Sequence, residues 1–377
     1  MTSAPTPQAG GYSLLDVSPQ KLAAEFSATQ EKIARGARLL AELKESDIEI
    51  SLTPKDEVWR CDSVTLYRYR PAVEQPLAVP VLVCYALVGR YQMVDLEFER
   101  SFVRKLLGQG LDVYVIDWGM PKRYQRWHGM DDYVNGYLDD CVDAVRERSG
   151  APAINLLGIC QGGVFSLCYA ALHPEKLKNL ILTVTPVDFH ADAGAPAAGA
   201  GYVNQWTRAW REEDVDLTVQ AWGNYPGPMV GFAFLLMNPI HNIAKYSSEL
   251  IGILGDEEKL KGFLRMERWI ADRPDHPGEV LREWLRELYI HNRLVKNELM
   301  LGGMRVDLAQ VSMPVLNIYA AEDVIIPPVC TRALKGRCGT GDYTEIEVPG
   351  GHIGTFVGNK AQKILAPAIT DWLKARI

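Results

Sequence analysis

Apolar positions along the chain change their spacing several times, and each change marks an element. After Ser18-Pro19, the residues Leu22, Phe26, Ile33, Ala37 and Leu40 recur at helical spacing. Ser18 can cap a helix and Pro19 suits its first position, so a helix is expected over about 19–44. Residues 56–70 alternate as one or two strands do. "VPVLVCYAL" is then a nearly continuous apolar run, the pattern of a strand buried on both faces. A helix is expected at about 96–109, a buried strand in "LDVYVIDWG" and a helix over about 131–148. A third buried strand in "AINLLGI" is followed by a helix from about 161 to 172, and a fourth lies in "LKNLILTVTPV". Strand and helix alternate, which favours a mostly parallel, doubly wound α/β sheet.

That rhythm breaks near residue 190 and resumes with "PVLNIYAAED" and "YTEIEVPGGH". The stretch between is rich in aromatics, Pro and Gly, and its patterns are helical without clear strands. Four segments are expected. Residues 1–50 form an N-terminal arm and amphipathic helix, and 51–190 a first core part. Residues 191–305 form an inserted, mainly helical cap, and 306–377 a second core part. Residues 1–12 are small and polar and are expected to be loose.

Composition narrows the function. The chain has 377 residues, 47% of them hydrophobic, enough for a large buried core. A net charge of −7 argues against a nucleic-acid partner. No uninterrupted apolar stretch reaches the length of about 18 residues that a membrane helix needs. The N-terminus lacks the basic and apolar regions of a signal peptide. Seven cysteines, an odd number, show no CxxC pair and no zinc-site spacing with histidine. Free thiols in a reducing cytoplasm are the expectation, with no metal and no cofactor.

The chemistry collects at strand ends. Gly158-x-Cys160-x-Gly162 follows a strand and opens a helix, as the nucleophile of an elbow does, with Cys in place of Ser. At a helix N-terminus a thiolate is favoured by the dipole and the unpaired N–H groups. Asp323 ends the strand "PVLNIYAAED" and His352 follows "TEIEVPGG", giving the order nucleophile, acid, histidine. His352 would take the thiol proton, and Asp323 would hold its tautomer. The N–H groups of Gln161 and Val88 are the expected oxyanion donors, each typically worth about 2.7–4 kcal/mol. Asp188 is a rival acid and His190 a second histidine candidate. Cys141, beside Asp139, Asp140 and Asp143, is expected to stay a thiol. The remaining histidines, His276 among them, lack a strand-end context.

On these residues the chain resembles a polyhydroxyalkanoate (PHA) synthase of the class III, short-subunit type, within the α/β-hydrolase superfamily. The stretches that carry the resemblance are "VLVCYALVGRYQMVDL", "GLDVYVIDWGMP", "LLGICQGGVFSLCYAALHPEKLKNLI", "ERWIADRPD", "YIHNRLVKNELMLGG", "VDLAQVSMPVLNIYAAED" and "PGGHIGTFVGNKAQK". They run from about residue 50 to the C-terminus. The resemblance implies an α/β-hydrolase fold and a covalent acyl intermediate on Cys160, with Asp323 and His352 as partners. It implies a 3-hydroxyacyl-CoA substrate, short-chain such as 3-hydroxybutyryl-CoA, released CoA and a growing polyester chain. It also implies a cytoplasmic place at the granule surface, a second synthase subunit and self-association. A family Tyr-x-x-Asn near the substrate pocket falls on Tyr289 and Asn292. One position departs: the family usually has His directly after the acid, and here it is Val324.

A thiol suits that chemistry. Transfer from CoA to cysteine exchanges one thioester for another and keeps the acyl group activated until a hydroxyl attacks it. Two other readings stand beside this one. One is a Cys-dependent hydrolase of the dienelactone-hydrolase kind, which needs no cap of about 110 residues. The other is a non-catalytic granule or assembly component of the same fold.

Overall fold

The computed structural model describes residues 18–195, 201–237 and 239–376. The small polar stretch at 1–12 lies outside the described residues. The chain divides into two compact units, one of Met1–Asp47 with Ile240–Phe263, the other of Ile48–Pro239 with Leu264–Ile377.

In the larger unit eight strands form one sheet. They are β1 (Lys55–Cys61), β2 (Val64–Tyr69), β3 (Val81–Cys84), β4 (Val113–Asp117), β5 (Ile154–Ile159), β6 (Leu177–Thr183), β9 (Val315–Ala320) and β10 (Tyr343–Val348). Two short strands, β7 (Met300–Leu301) and β8 (Met304–Arg305), pair separately as a hairpin. The order across the sheet is β1-β2-β4-β3-β5-β6-β9-β10. β1, β2 and β4 pair antiparallel, and every pairing from β4 through β3 to β10 is parallel.

Burial follows from that topology. β3, β5 and β9 are buried at every position, because helices cover both faces of a parallel sheet. Successive residues still part company: Leu82 joins the apolar cluster on one face, and Val81 and Val83 join the cluster on the other. β1, at the antiparallel edge, is partly exposed along its length. The segment expected as one helix over about 131–148 has two parts. A π-helical turn, Asp132–Leu138, leads into the α-helix Asp139–Ser149, which Gly150 ends at φ 71°.

The insert is mainly helical, with helices Tyr202–Thr207, Glu212–Trp222, Gly227–Met237 and Gly278–Glu283 among its elements. It also holds the β7–β8 hairpin, which the sequence pattern does not announce. Each strand has two residues, too few for alternation, and the turn rests on Gly302 and Gly303 at positive φ.

In the smaller unit the helix Pro19–Glu42 starts on Ser18, whose hydroxyl accepts the Lys21 N–H at 3.1 Å. Gly36 is its buried residue and lies against Leu254, so closely that a Cβ there would overlap the leucine side chain. The helix Glu257–Ala271 begins in this unit and ends in the larger one.

The parallel strands set up the site. Cys160, Asp323 and His352 follow the carboxyl ends of β5, β9 and β10, the edge of an open α/β sheet where ligands gather.

Candidate active site

Cys160 is the N-cap of the helix Gln161–Leu172, at φ 54° and ψ −120°. A non-glycine residue holds such a backbone only where its surroundings impose it. Here its N–H donates to Thr183 O at 3.0 Å, and its carbonyl accepts the N–H of Gly163 at 3.0 Å and of Val164 at 3.2 Å. Two glycines make room for the turn. A Cβ on Gly158 would overlap Gly163 Cα and the Ser166 side chain. One on Gly162 would overlap the carbonyl oxygens of Cys84 and Tyr85. The elbow is therefore pressed against the loop that leaves β3.

Cys160 is half-buried, whereas Cys84, Cys141, Cys168 and Cys330 are buried. Burial pushes the thiols of Cys84, Cys168, Cys330 and Cys338 up to about 12, so they stay protonated. For Cys141 burial is again the largest cause, with Cys84 and Asp140 adding to it.

His352 Nδ1 lies 2.7 Å from Asp323 Oδ2. The other carboxylate oxygen accepts the N–H groups of Ile325 and Ile326, each at 2.9 Å. Asp323 is thus fixed by its own loop before it touches the imidazole. Burial alone would lower the His352 pKa. The Asp323 carboxylate, which also hydrogen-bonds the ring, and Cys160 outweigh it and hold the pKa well above the ordinary histidine value. Since Asp323 occupies Nδ1, Nε2 is the nitrogen left for the thiol.

The rival residues are engaged elsewhere. Asp188 Oδ1 accepts the His190 N–H at 2.9 Å and the Asn292 amide at 2.8 Å. His190 Nε2 bonds the carbonyl of Tyr289 at 2.6 Å. Asn292, buried at φ 53°, also accepts the Phe189 N–H at 2.9 Å, so its amide pins the loop after β6. Tyr289 is buried against Phe189 and Trp284. Its phenol is held neutral first by burial and next by the neighbouring Cys160. Tyr85 is placed likewise, its pKa raised by burial and then by Cys160. Both tyrosines are buried within electrostatic range of Cys160, and only Tyr289 had a sequence signal.

Of the two expected oxyanion donors, Gln161 lies at the helix start and Val88 in the loop after β3. The Gln161 side chain joins these places: its Oε1 accepts the Leu87 N–H at 3.0 Å, and Val88 N–H is the next donor along the loop. Its Nε2 contacts His276 Nε2 at 3.1 Å. Burial lowers the His276 pKa to about 4, so the ring is neutral. Sequence reasoning missed His276 and its neighbour Arg273, whose guanidinium donates to Val88 O at 2.7 Å. Both lie in "DRPDHPGE", far from any strand end.

A family model described as the α/β hydrolase fold matches residues 79–358. A poly(3-hydroxyalkanoate) polymerase subunit PhaC of Synechocystis sp. is 46% identical over 350 residues, covering 92% of this chain and 91% of that one. Another, of Allochromatium vinosum, is 43% identical over 365 residues, 96% and 99% of the two chains. The chain belongs to the poly(3-hydroxyalkanoate) polymerase PhaC family. Among solved structures, a putative lipase of Sulfolobus solfataricus superposes with a TM-score of 0.54 at 16% identity, over 86% of this chain and 93% of that one. That likeness shows the fold alone.

Within this PhaC-family chain, Val324 follows the acid and is 43% exposed, and its carbonyl accepts the Tyr202 N–H at 2.8 Å. Among the described residues, no helix is long and apolar enough to cross a membrane, and no cluster of three His, Cys, Asp or Glu could hold a metal.

Proposed function

We propose that the chain transfers (R)-3-hydroxyacyl groups, short-chain ones such as 3-hydroxybutyryl, from CoA to a growing polyester through an acyl-Cys160 intermediate. The observation that carries this is the Asp323–His352 pair at the same sheet edge as the Cys160 elbow, in a PhaC-family chain. His352 Nε2 takes the thiol proton, and the sulfur attacks the thioester carbonyl. The oxyanion is held by the N–H groups of Gln161 and Val88. Collapse breaks the bond to the CoA sulfur, which leaves with the proton from the imidazolium. His352 then takes the proton of an incoming 3-hydroxyl, whose oxygen attacks the acyl-Cys carbonyl. The new oxoester forms, and the proton returns to the Cys160 sulfur.

Hydrolysis is the competing fate of the intermediate. The burial of Tyr85 and Tyr289, both within electrostatic range of Cys160, supports a water-poor site. The proposed place of action is the cytoplasmic granule surface, with a second synthase subunit and self-association. The test is a product assay on 3-hydroxybutyryl-CoA, with and without co-expressed neighbouring proteins. CoA release with insoluble polyester is expected. CoA release with only free 3-hydroxy acid would make the chain a hydrolase instead.

A further inference from the structure

We propose that Arg273 and His276 are positioning residues that hold the loop Tyr85–Arg90 in the geometry acyl transfer needs. The inference rests on the acyl-Cys160 reading above and names residues of the insert that serve it.

One short segment, 269–276, fastens this loop at three residues. Trp269 Nε1 donates to Arg90 O at 2.9 Å, and the Arg90 guanidinium returns to Asp272 at 3.2 Å. Arg273 Nη1 donates to Val88 O at 2.7 Å. His276 reaches Leu87 through Gln161. These bonds bracket the Val88 N–H, the donor expected to meet the oxyanion.

The His276 path has a single direction. The Pro277 carbonyl, 3.2 Å from Nδ1, can only accept, so Nδ1 carries the proton. Nε2 is then an acceptor, and the group it faces must be the Gln161 amide nitrogen. That fixes the amide with Oε1 toward the Leu87 N–H. Were the amide turned over, two donors would meet at Leu87 and two acceptors at His276. His276 is itself anchored, exchanging N–H···O bonds of 2.8 and 2.7 Å with Tyr225.

Arg273 adds charge. Its guanidinium lies over the Phe234 ring at 4.9 Å, and no carboxylate among the described residues pairs with it. Its buried Nε has no hydrogen-bond partner. A half-buried cation without a counter-ion is costly. Beside Val88 it favours the negative charge that develops on the acyl oxygen.

The test separates two reactions of Cys160. Acylation by 3-hydroxybutyryl-CoA passes through an oxyanion, and alkylation by iodoacetamide does not. His276→Phe and Arg273→Met are expected to lower kcat for acyl transfer by ~10-fold to 100-fold, the scale of a misplaced catalytic group. KM and the alkylation rate should stay within about twofold, since neither needs the oxyanion hole. His276→Gln, whose Oε1 can accept the same amide N–H, should recover acyl transfer to within about threefold of wild type. Acyl transfer unchanged in both apolar variants, or acylation and alkylation lost in equal measure, overturns the inference. Wild-type protein that alkylates at Cys160 but accepts no acyl group overturns the acyl-transfer reading, and this inference with it.

Discussion

Asp323 Oδ2 accepts the His352 Nδ1–H at 2.7 Å, while Oδ1 of the same carboxylate is held by two backbone N–H groups at 2.9 Å. Asp323→Asn therefore has one comfortable orientation. Its carbonyl keeps the two backbone donors, and its NH2 faces His352. The imidazole must then present a lone pair at Nδ1 and carry its proton on Nε2, the wrong nitrogen for a base. Turnover is expected to fall by about 10²–10⁴-fold with the fold intact, read as CoA release beside a circular dichroism spectrum.

The His352 titration can be observed directly. Nitrogen NMR should show its pKa above the ordinary value of 6.5, and lowered in both Asp323→Asn and Cys160→Ala, since both partners raise it. The folded-state value is the higher one, so the contribution to stability is complete below the unfolded value and is lost as pH rises through the folded one. The stability gap between wild type and His352→Gln in urea should accordingly narrow as pH climbs above neutrality.

The elbow carries strain that a substitution can release. At φ 54° and ψ −120°, Cys160→Gly should be more stable than Cys160→Ala by about 1 kcal/mol or more. Urea midpoints of the two inactive variants measure it. Gly162→Ala should act oppositely, because its methyl would meet the backbone oxygens of Cys84 and Tyr85, which cannot move aside. Loss of about 3 kcal/mol or more, or of soluble protein, is expected.

Replacing sulfur by oxygen tests why the nucleophile is a thiol. Cys160→Ser should accept an acyl group as an oxoester and so lose the driving force for the second transfer. One equivalent of CoA is expected, with no polymer and an acylated serine detectable by mass. Continued polymer formation would mean that thioester exchange is not what the site depends on.

The sequence showed the sheet well because β3, β5 and β9 are buried on both faces and read as unbroken apolar runs. Cys160, Asp323 and His352 were legible for a related reason. Cys160 and Asp323 follow such runs, His352 follows the alternating strand β10, and the elbow glycines record close approaches that leave no room for a Cβ. The insert was less legible, since the two-residue strands at 300–305 are too short for a period. His276 gave no signal, and Arg273 gave none beyond lying in the family-like stretch "ERWIADRPD". Their partners, Val88 and Gln161, lie 185 and 115 residues away, and only the return of the insert to the sheet brings them together. Asn292 illustrates the converse. A local motif placed it near the pocket, while its amide binds Asp188 and Phe189, a use visible only in three dimensions.

The central claim is a covalent acyl group on Cys160 that moves on to polymer. Radiolabelled 3-hydroxybutyryl-CoA, applied briefly, quenched and mapped by peptide, should leave label on the peptide that contains Cys160. A chase with unlabelled substrate should carry that label into insoluble polyester. Label that never appears on Cys160, or that leaves it only as free 3-hydroxy acid, would contradict the account.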